Sequence, residues 1–453
     1  MASRKSSRRF GAVLAWLVAA PSLLAAQQPA TPTPLRLSFA DAVRVASGQA
    51  TPVELATLRT SEADARVRQA RSALLPSLAI SGAWVNRTFN SKSLGISFPT
   101  PPGQPGLPDL IGPFDNYDGR VRATQALFDW SSVGRVRAAG AQADGSRAER
   151  SATVEGAAQT AAAAYLRAAR AAAVVAARRA DSSIAAELVT LAEAQKRAGV
   201  SAAIDVTCAR TQLVTAQGLL IIARNELDRG RIALARALAI DPATPLELAD
   251  TLTAGLGSAD VPGDRQAALA AALAGRPDLR AEVARGAAAR QTGSAIRAER
   301  LPRLDLEADY GVNGLTMPSA ISTRQVALQV TVPILDGFRR EARIAEQNAA
   351  VSESRVRERD LRQQITADVD AALLDLRSAE AQQLVAAERL RLAADELAQA
   401  RERFKAGVAG NIEVIDAQSN LIRARDTDID ARFAAASARV ALARAVGVAS
   451  TLH

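Results

Sequence analysis

Arg197-Ala198-Gly199-Val200-Ser201 and Phe404-Lys405-Ala406-Gly407-Val408 lie 208 residues apart, measured from Gly199 to Gly407, and each ends a long segment without proline. Those segments, 131–197 and 338–405, are about 67 residues each, or about 100 Å if fully helical. A glycine after the last helical turn takes the left-handed conformation that closes a helix, and the preceding Arg197 or Lys405 suits the C-terminal dipole. Each stretch therefore predicts the tip of an antiparallel helical hairpin, with return helices over 205–239 and 412–446. A globular domain has little use for helices of that length, whereas a structure that spans a distance does.

The faces of these helices repeat with coiled-coil spacing. Ile365, Val369, Ala372, Leu376 and Ala379 step by four and three, and Ala387, Leu390, Ala394, Leu397 and Phe404 continue the pattern. Val206, Ala209, Leu213, Ala216 and Leu220 form the matching stripe on one return helix; Val414, Ala417, Leu421 and Ala424 form it on the other. Holding the 208-residue offset aligns Ile204 with Ile412, Val206 with Val414 and Leu213 with Leu421. Leu75-Pro76-Ser77-Leu78 is echoed by Leu301-Pro302-Arg303-Leu304, and Phe128-Asp129 by Leu335-Asp336. Shared Gly, Pro and Arg positions in one order imply two structural repeats, 27–240 and 264–447, around a linker or equatorial region at 241–263, with a tail at 448–453.

Between the helices the period changes to two. Leu304, Leu306, Ala308, Tyr310 and Val312 alternate with Arg303, Asp305, Glu307 and Asp309; Val326, Leu328, Val330, Val332 and Ile334 alternate with smaller or polar residues. Tyr117, Val121 and Ala123 alternate with Asp118, Arg120 and Arg122, and a weaker segment at 78–90 contains Trp84. Four strands follow, at about 78–90, 117–128, 303–312 and 325–334. Ten-residue segments with one apolar and one charged face fit outer-membrane strands, and also a soluble antiparallel sheet with one wet face. The long helices and the N-terminus favour the membrane. Their connections, 91–116 (rich in Pro99, Pro101, Pro102, Gly103, Pro105 and Gly106) and 313–323, fall at one end. Four strands cannot close a barrel, which needs at least about eight, so several chains must contribute.

The N-terminus carries Arg4, Lys5, Arg8 and Arg9, then an apolar stretch ending at Ala25 and Ala26, which predicts a secretory signal peptide over 1–26. The lone Cys208 permits no intrachain disulfide and lies too far along to carry an N-terminal lipid. The formal charge of +9 includes four leader cations, so the mature chain is nearer +5, with charges interspersed and only 3% aromatics. That composition argues against a nucleic-acid partner. The only histidine is His453, glycine-rich phosphate loops are absent, and no enzyme activity, metal or cofactor is expected.

Taken in order, these features resemble the TolC-like outer-membrane efflux family over nearly the whole mature chain. The Leu-Pro-x-Leu joints at Pro76 and Pro302, the joint Val332-Pro333-Ile334-Leu335-Asp336-Gly337, and the two tips with Ile204-Asp205-Val206 and Glu413-Val414-Ile415-Asp416 carry the resemblance. It implies a mainly α chain with a small membrane β-barrel portion: a homotrimer with a twelve-stranded barrel continued by an α-helical tunnel. The number three comes from the resemblance. It further implies an outer-membrane channel extending into the periplasm, contacting outer-membrane lipid, and working with a periplasmic adaptor and an inner-membrane transporter in efflux or type I secretion.

By residue match, Glu413, Asp416 and Asp205 would line a narrowed periplasmic entrance; the other reading is that all three are early-turn acids complementing helix N-termini. Gly199, Val200, Ser201, Gly407 and Val408 are the expected adaptor contacts. Ala409 stands where the best-known relative has an arginine, and Cys208 has no acidic counterpart, so the entrance lock is expected to differ. A soluble periplasmic coiled-coil adaptor or scaffold is the competing reading.

Overall fold

The computed structural model describes residues 34–95, 108–252, 255–408 and 410–453. The expected leader at 1–26, the prolines and glycines at 99–106, and Ala409 lie outside the described residues. The first half runs β1 (Leu35–Leu37), α1 (Phe39–Gln49), α2 (Thr51–Ser72), β2 (Ser77–Asn90), β3 (Leu110–Phe128), α3 (Trp130–Arg197) and α4 (Ala203–Ala237). After β4 (Leu246–Leu248) come α5 (Arg265–Gly275), α6 (Pro277–Ala298), β5 (Arg303–Gly314), β6 (Ile321–Thr331), α7 (Arg339–Lys405) and α8 (Asn411–Val446).

The two long helices dominate, with 68 residues in α3 and 67 in α7. Asp129 starts α3 by accepting from the backbone N–H groups of Ser131 and Ser132. At the other end Val200 N donates to Gln195 O at 3.1 Å, and Val408 N donates to Arg403 O at 3.1 Å, so both tips close with the same wrap-around bond. Both glycines have positive φ, +76° at Gly199 and +72° at Gly407, as the sequence requires.

The seam of α7 differs in phase from the expected one. Ala386 and Ala393 are buried, while Ala387 and Ala394 are exposed, so the lower seam runs Ala379, Ala386, Ala393, Leu397, Ala400 and Phe404. On α8 the stripe continues far beyond Ala424: Asp428, Ala431, Ala435, Ala438, Leu442 and Ala445 are all buried at alternating steps of four and three. A strict seven-residue repeat of this length favours left-handed supercoiling of the pair.

The sheet is a four-stranded antiparallel layer in the order β2-β3-β5-β6, with β2 and β6 as open edges. Register keeps like with like. Val121 pairs with Tyr310, Ala308 with Val326 and Leu306 with Leu328 on one face; Arg122 pairs with Asp309 and Asp305 with Gln329 on the other. Leu328 and Val326 are 62% and 75% exposed, so the apolar face has no cover from its own chain. Two strands move from expectation. β3 begins at Leu110 rather than 117, and β6 spans Ile321–Thr331 rather than 325–334. Pro333 has no N–H to continue the ladder, which leaves Val332 and Ile334 outside the strand.

The main core lies where β1, α1, α3, α4, β4, α8 and the C-terminal tail meet. The described residues of 241–263, expected as a linker or equatorial region, and the tail at 448–453 contribute to it, since Leu246, Leu252, Leu256, Ala449 and Leu452 are buried there. β4 pairs in parallel with β1, a contact that no local pattern announces. Phe39 meets Tyr165 edge-to-face at 5.6 Å. The Tyr165 hydroxyl donates to Leu37 O at 3.1 Å and accepts from Asp250 N at 3.1 Å, and burial pushes its pKa up to about 12. Glu155 accepts from Ser450 Oγ at 2.5 Å and fastens the tail.

A buried arginine ties α6, α7 and α8 together. Arg276 lies 2.6 Å from Asp278 and 2.9 Å from Asp368 and packs under Gly447, where an added Cβ would come within 3.0 Å of its Cγ. Burial raises the Asp278 pKa, but the Arg276 hydrogen bond and charge outweigh it and hold the carboxyl below 3.8. Arg276→Ala is expected to cost about 2 kcal/mol, less than a fully buried pair because both aspartates are partly wet; chemical denaturation read by circular dichroism checks this. A depressed carboxyl pKa contributes stability above its unfolded value and loses it as pH falls through the folded one. Wild type should therefore lose that margin below pH 3.8, and Arg276→Ala should show less acid sensitivity there.

Candidate functional site

The four long helices bring both tips together. Leu188 and Ala192 of α3, Val206 and Ala209 of α4, Leu397 and Phe404 of α7, and Val414 and Ala417 of α8 share one buried cluster. Two polar bonds join the hairpins: Gln195 Nε2 donates to Phe404 O at 2.9 Å, and Asn411 Nδ2 donates to Asp205 O at 3.0 Å. Asn411 is only 2% exposed, and its Oδ1 has no partner among the described residues. The sequence reading did not single out Asn411; its place at the start of α8, seven residues before the likewise buried Gln418, was the available signal.

The three expected entrance acids have different surroundings. Asp205 closes its own helix start, accepting from Ser201 Oγ at 2.7 Å and Ala202 N at 3.2 Å. That is the helix-terminus reading weighed from sequence. Glu413 is half-exposed and lies 3.3 Å from Arg403 Nε across the turn. Asp416, one turn along, is exposed and makes no ion pair or side-chain hydrogen bond among the described residues. Of the three, Asp416 is the carboxylate most available to a passing cation.

The tips also carry a duplicated apolar surface. Val200 and Ile204 on one hairpin, and Val408 and Ile412 on the other, are all strongly exposed. Val200 and Val408 were expected contacts, whereas Ile204 and Ile412 were read only as repeat markers. Arg197, Arg403 and Lys405 lie beside them on exposed positions, Lys405 bonded to Glu402 at 2.8 Å. An apolar knob ringed by cations offers a partner both burial and charge pairing. Cys208 is a half-buried free thiol on α4.

Farther from the tips, α3 and α8 share a polar layer that no sequence pattern marked. Asp181, 2% exposed on its side chain, pairs with Arg178 at 2.8 Å and Arg425 at 2.5 Å. Arg178 also reaches Asp426 at 2.5 Å. Burial lowers the Arg178 pKa, but the two aspartates outweigh it and keep the guanidinium firmly charged. On the charged face of the sheet, Arg120 bridges Asp118 at 2.7 Å and Asp309 at 2.8 Å. Among the described residues no group of three or more His, Cys, Asp or Glu side chains could hold a metal ion.

The family model described as outer membrane efflux protein matches residues 53–239 and 268–448. The chain is 28% identical over 400 residues to Protein CyaE of Bordetella pertussis, a match covering 87% of this chain and 80% of that protein. It is 25% identical over 264 residues to the pyoverdine export outer membrane protein OpmQ of Pseudomonas putida, covering 57% and 55%. Among solved structures, the outer membrane protein VceC of Vibrio cholerae superposes with a TM-score of 0.73 at 20% identity, covering 90% and 96% of the two chains. The CmeC outer membrane channel of Campylobacter jejuni gives 0.75 at 15% identity, covering 91% and 86%. At such identities the structural matches speak for the fold.

Gly199→Ala and Gly407→Ala each place a Cβ in open space but at positive φ, so the cost is conformational rather than steric. Each should destabilise its own turn by about 1–2 kcal/mol while the main core keeps its stability. Amide hydrogen exchange at Val200 and Val408 checks this, with faster exchange confined to the substituted tip.

Proposed function

The chain belongs to the outer membrane efflux protein family, and from that premise we propose that three copies assemble into one continuous channel. It is an outer-membrane channel subunit for efflux or secretion, located in the cell outer membrane, and its family is one of transport proteins rather than enzymes. The observation that carries the proposed assembly is the four-stranded sheet with two open edges and an uncovered apolar face. In lipid each unpaired backbone group costs several kcal/mol, so β2 of one copy must meet β6 of the next until the ring closes. Three copies give twelve strands, enough for a wet lumen, while two would give an eight-stranded ring filled by its own side chains. The charged face, with Arg120, Arg122, Glu307 and Asp309, suits that lumen. We also read the chain as two tandem copies, 27–240 and 264–447, a division supported by the two separate stretches that the family model matches.

The tips are assigned to the periplasmic end. Val200, Ile204, Val408 and Ile412, beside Gly199, Ser201 and Gly407, form the surface for a periplasmic adaptor, which joins the channel to an inner-membrane transporter. Glu413 and Asp416 line the entrance, with three copies of each making acidic rings that favour cations. Asp205 contributes through its helix start, holding the tip shape, rather than as an open carboxylate. Solute passage is passive, and energy comes from the inner-membrane partner.

Two measurements test this reading. Protein extracted from outer membranes in mild detergent should have the mass of a trimer; a monomer or dimer in the soluble periplasmic fraction would instead support an adaptor or scaffold. In planar bilayers, Asp416→Asn should reduce cation over anion selectivity by about twofold or more, and Glu413→Gln by less because Arg403 already offsets its charge. Unchanged selectivity in correctly assembled Asp416→Asn trimers removes that residue from the entrance.

A further inference from the structure

We infer that the base of the sheet, where β3 passes into α3, holds a recognition site for the anionic headgroup of a phospholipid, built from Trp130 and Arg137. The inference rests on the channel reading, which puts the apolar face of the sheet against lipid. The alternation of β3 would turn Phe128 inward, but an irregularity between Ala126 and Phe128 brings it opposite Leu304, on the apolar face. Its ring stacks on Trp130 with centroids 6.2 Å apart, and both side chains are about half-exposed. Arg137 lies two turns farther along α3, about 10 Å, and its guanidinium reaches back to 5.7 Å from the centroid of Trp130.

Arg137 makes no ion pair or side-chain hydrogen bond among the described residues. Its neighbour Arg135 shows what a structural arginine looks like here: it is bonded to Ser131 at 3.0 Å, to Asp129 at 3.2 Å and to Ser132 at 2.5 Å. One arginine therefore completes the helix start, and the other is held over an exposed indole with its charge uncompensated.

Distance and sign assign this rim to one side of the bilayer. Along β3, Tyr117 and Phe128 are eleven residues apart, which is about 36 Å along the strand and about 28 Å along the membrane normal at a tilt of about 40°. That matches the hydrocarbon thickness of about 30 Å. The far rim carries Trp84, whose Nε1 donates to Asp115 Oδ1 at 3.1 Å, so its aromatic is tied to an acid. Another arginine over an aromatic, Arg87 over Phe114 at 5.4 Å, falls on the charged face of the sheet, away from lipid. Among the described residues, the base rim is where an unpaired guanidinium stands over an outward aromatic ring; Arg324, also unpaired, lies opposite the outward Tyr310 in the strand register but does not stack on it. An indole sits well at headgroup level, and a planar guanidinium matches a phosphate in bidentate fashion. A zwitterionic headgroup brings its own ammonium to compete for that phosphate, so net-anionic lipids such as phosphatidylglycerol are favoured.

The test uses Trp84→Phe protein purified from outer membranes, which, once the expected leader with its Trp16 is removed, leaves Trp130 as the reporter at the base, reconstituted in bilayers containing a minor fraction of brominated lipid. Brominated phosphatidylglycerol should quench Trp130 as though enriched about fivefold around it relative to brominated phosphatidylcholine, and high salt should shrink the difference. Arg137→Gln should bring the two lipids level. Equal quenching by both lipids in the parent protein, or an unchanged preference in Arg137→Gln, overturns the headgroup site. Trp130→Phe protein, in which Trp84 reports, separates this failure from a wider one. If Trp84 is quenched by either lipid, the sheet lies in the bilayer and the channel reading stands; if neither tryptophan is quenched, the headgroup site fails together with the membrane placement on which it rests.

Discussion

How closely α7 and α8 can approach controls the lower half of this molecule, and alanine sets that distance. Ala379 clusters with Ala435 and Ala438, and Ala393 and Ala400 sit among Val414, Ala417 and Leu421. Small side chains at successive seam layers let two helices run close for many turns, so one alanine layer looks much like the next. The contact is long but each layer buries little, at roughly 25 cal/mol per Å² of apolar surface. A seam of this kind resists bending weakly and specifies its own register poorly. The length of the seam suits a helical wall that spans a distance.

Register then has to come from groups that cannot be exchanged layer for layer. Asp428 interrupts the α8 seam: it is 4% exposed, bonded to Arg432 through one oxygen, with no partner for the other among the described residues. Asp181, with Arg178 and Arg425, does the same between α3 and α8. Buried pairs of this kind add little net stability, because desolvation offsets most of the attraction. Sliding a helix by one heptad, however, would strand these charges against alanine at a cost of several kcal/mol. The polar layer thus specifies which of many similar packings is occupied.

What could be read from the sequence follows from the range of each signal. The tips were legible because a Gly-Val pair after a cation states both a backbone conformation and a helix end within three residues. The two faces of the sheet were legible because a period of two survives in any register that pairs like with like. The seam phase was misread at Ala387 and Ala394 because each stands beside another alanine, Ala386 and Ala393, and composition offers no preference between them. β6 was placed too late because Val332 and Ile334 keep the alternation on either side of Pro333, past the end of the ladder at Thr331. The pairing of β1 with β4 joins three-residue strands more than 200 positions apart, and strands that short have no period to detect. Asp205 was legible as an acid in a first turn, but its bonds to Ser201 and Ala202 depend on how the turn folds.

The two ends of the chain's structure differ in what they leave unsatisfied. At the tips, backbone groups are closed by the glycine turns, the core beneath them is filled, and what remains outside is a small set of exposed valines, isoleucines and cations. At the sheet, the backbone itself is unfinished along two edges, and one largely apolar face has no cover from its own chain. Exposed side chains tolerate water and leave docking reversible, whereas unpaired strand edges in lipid do not. In the proposed assembly, association through the sheet, β2 of one copy on β6 of the next, is permanent, while association through the tips can come and go. The proposed channel, assembled in the membrane and meeting an adaptor at its tips, requires that division, and a single chain already carries both kinds of surface.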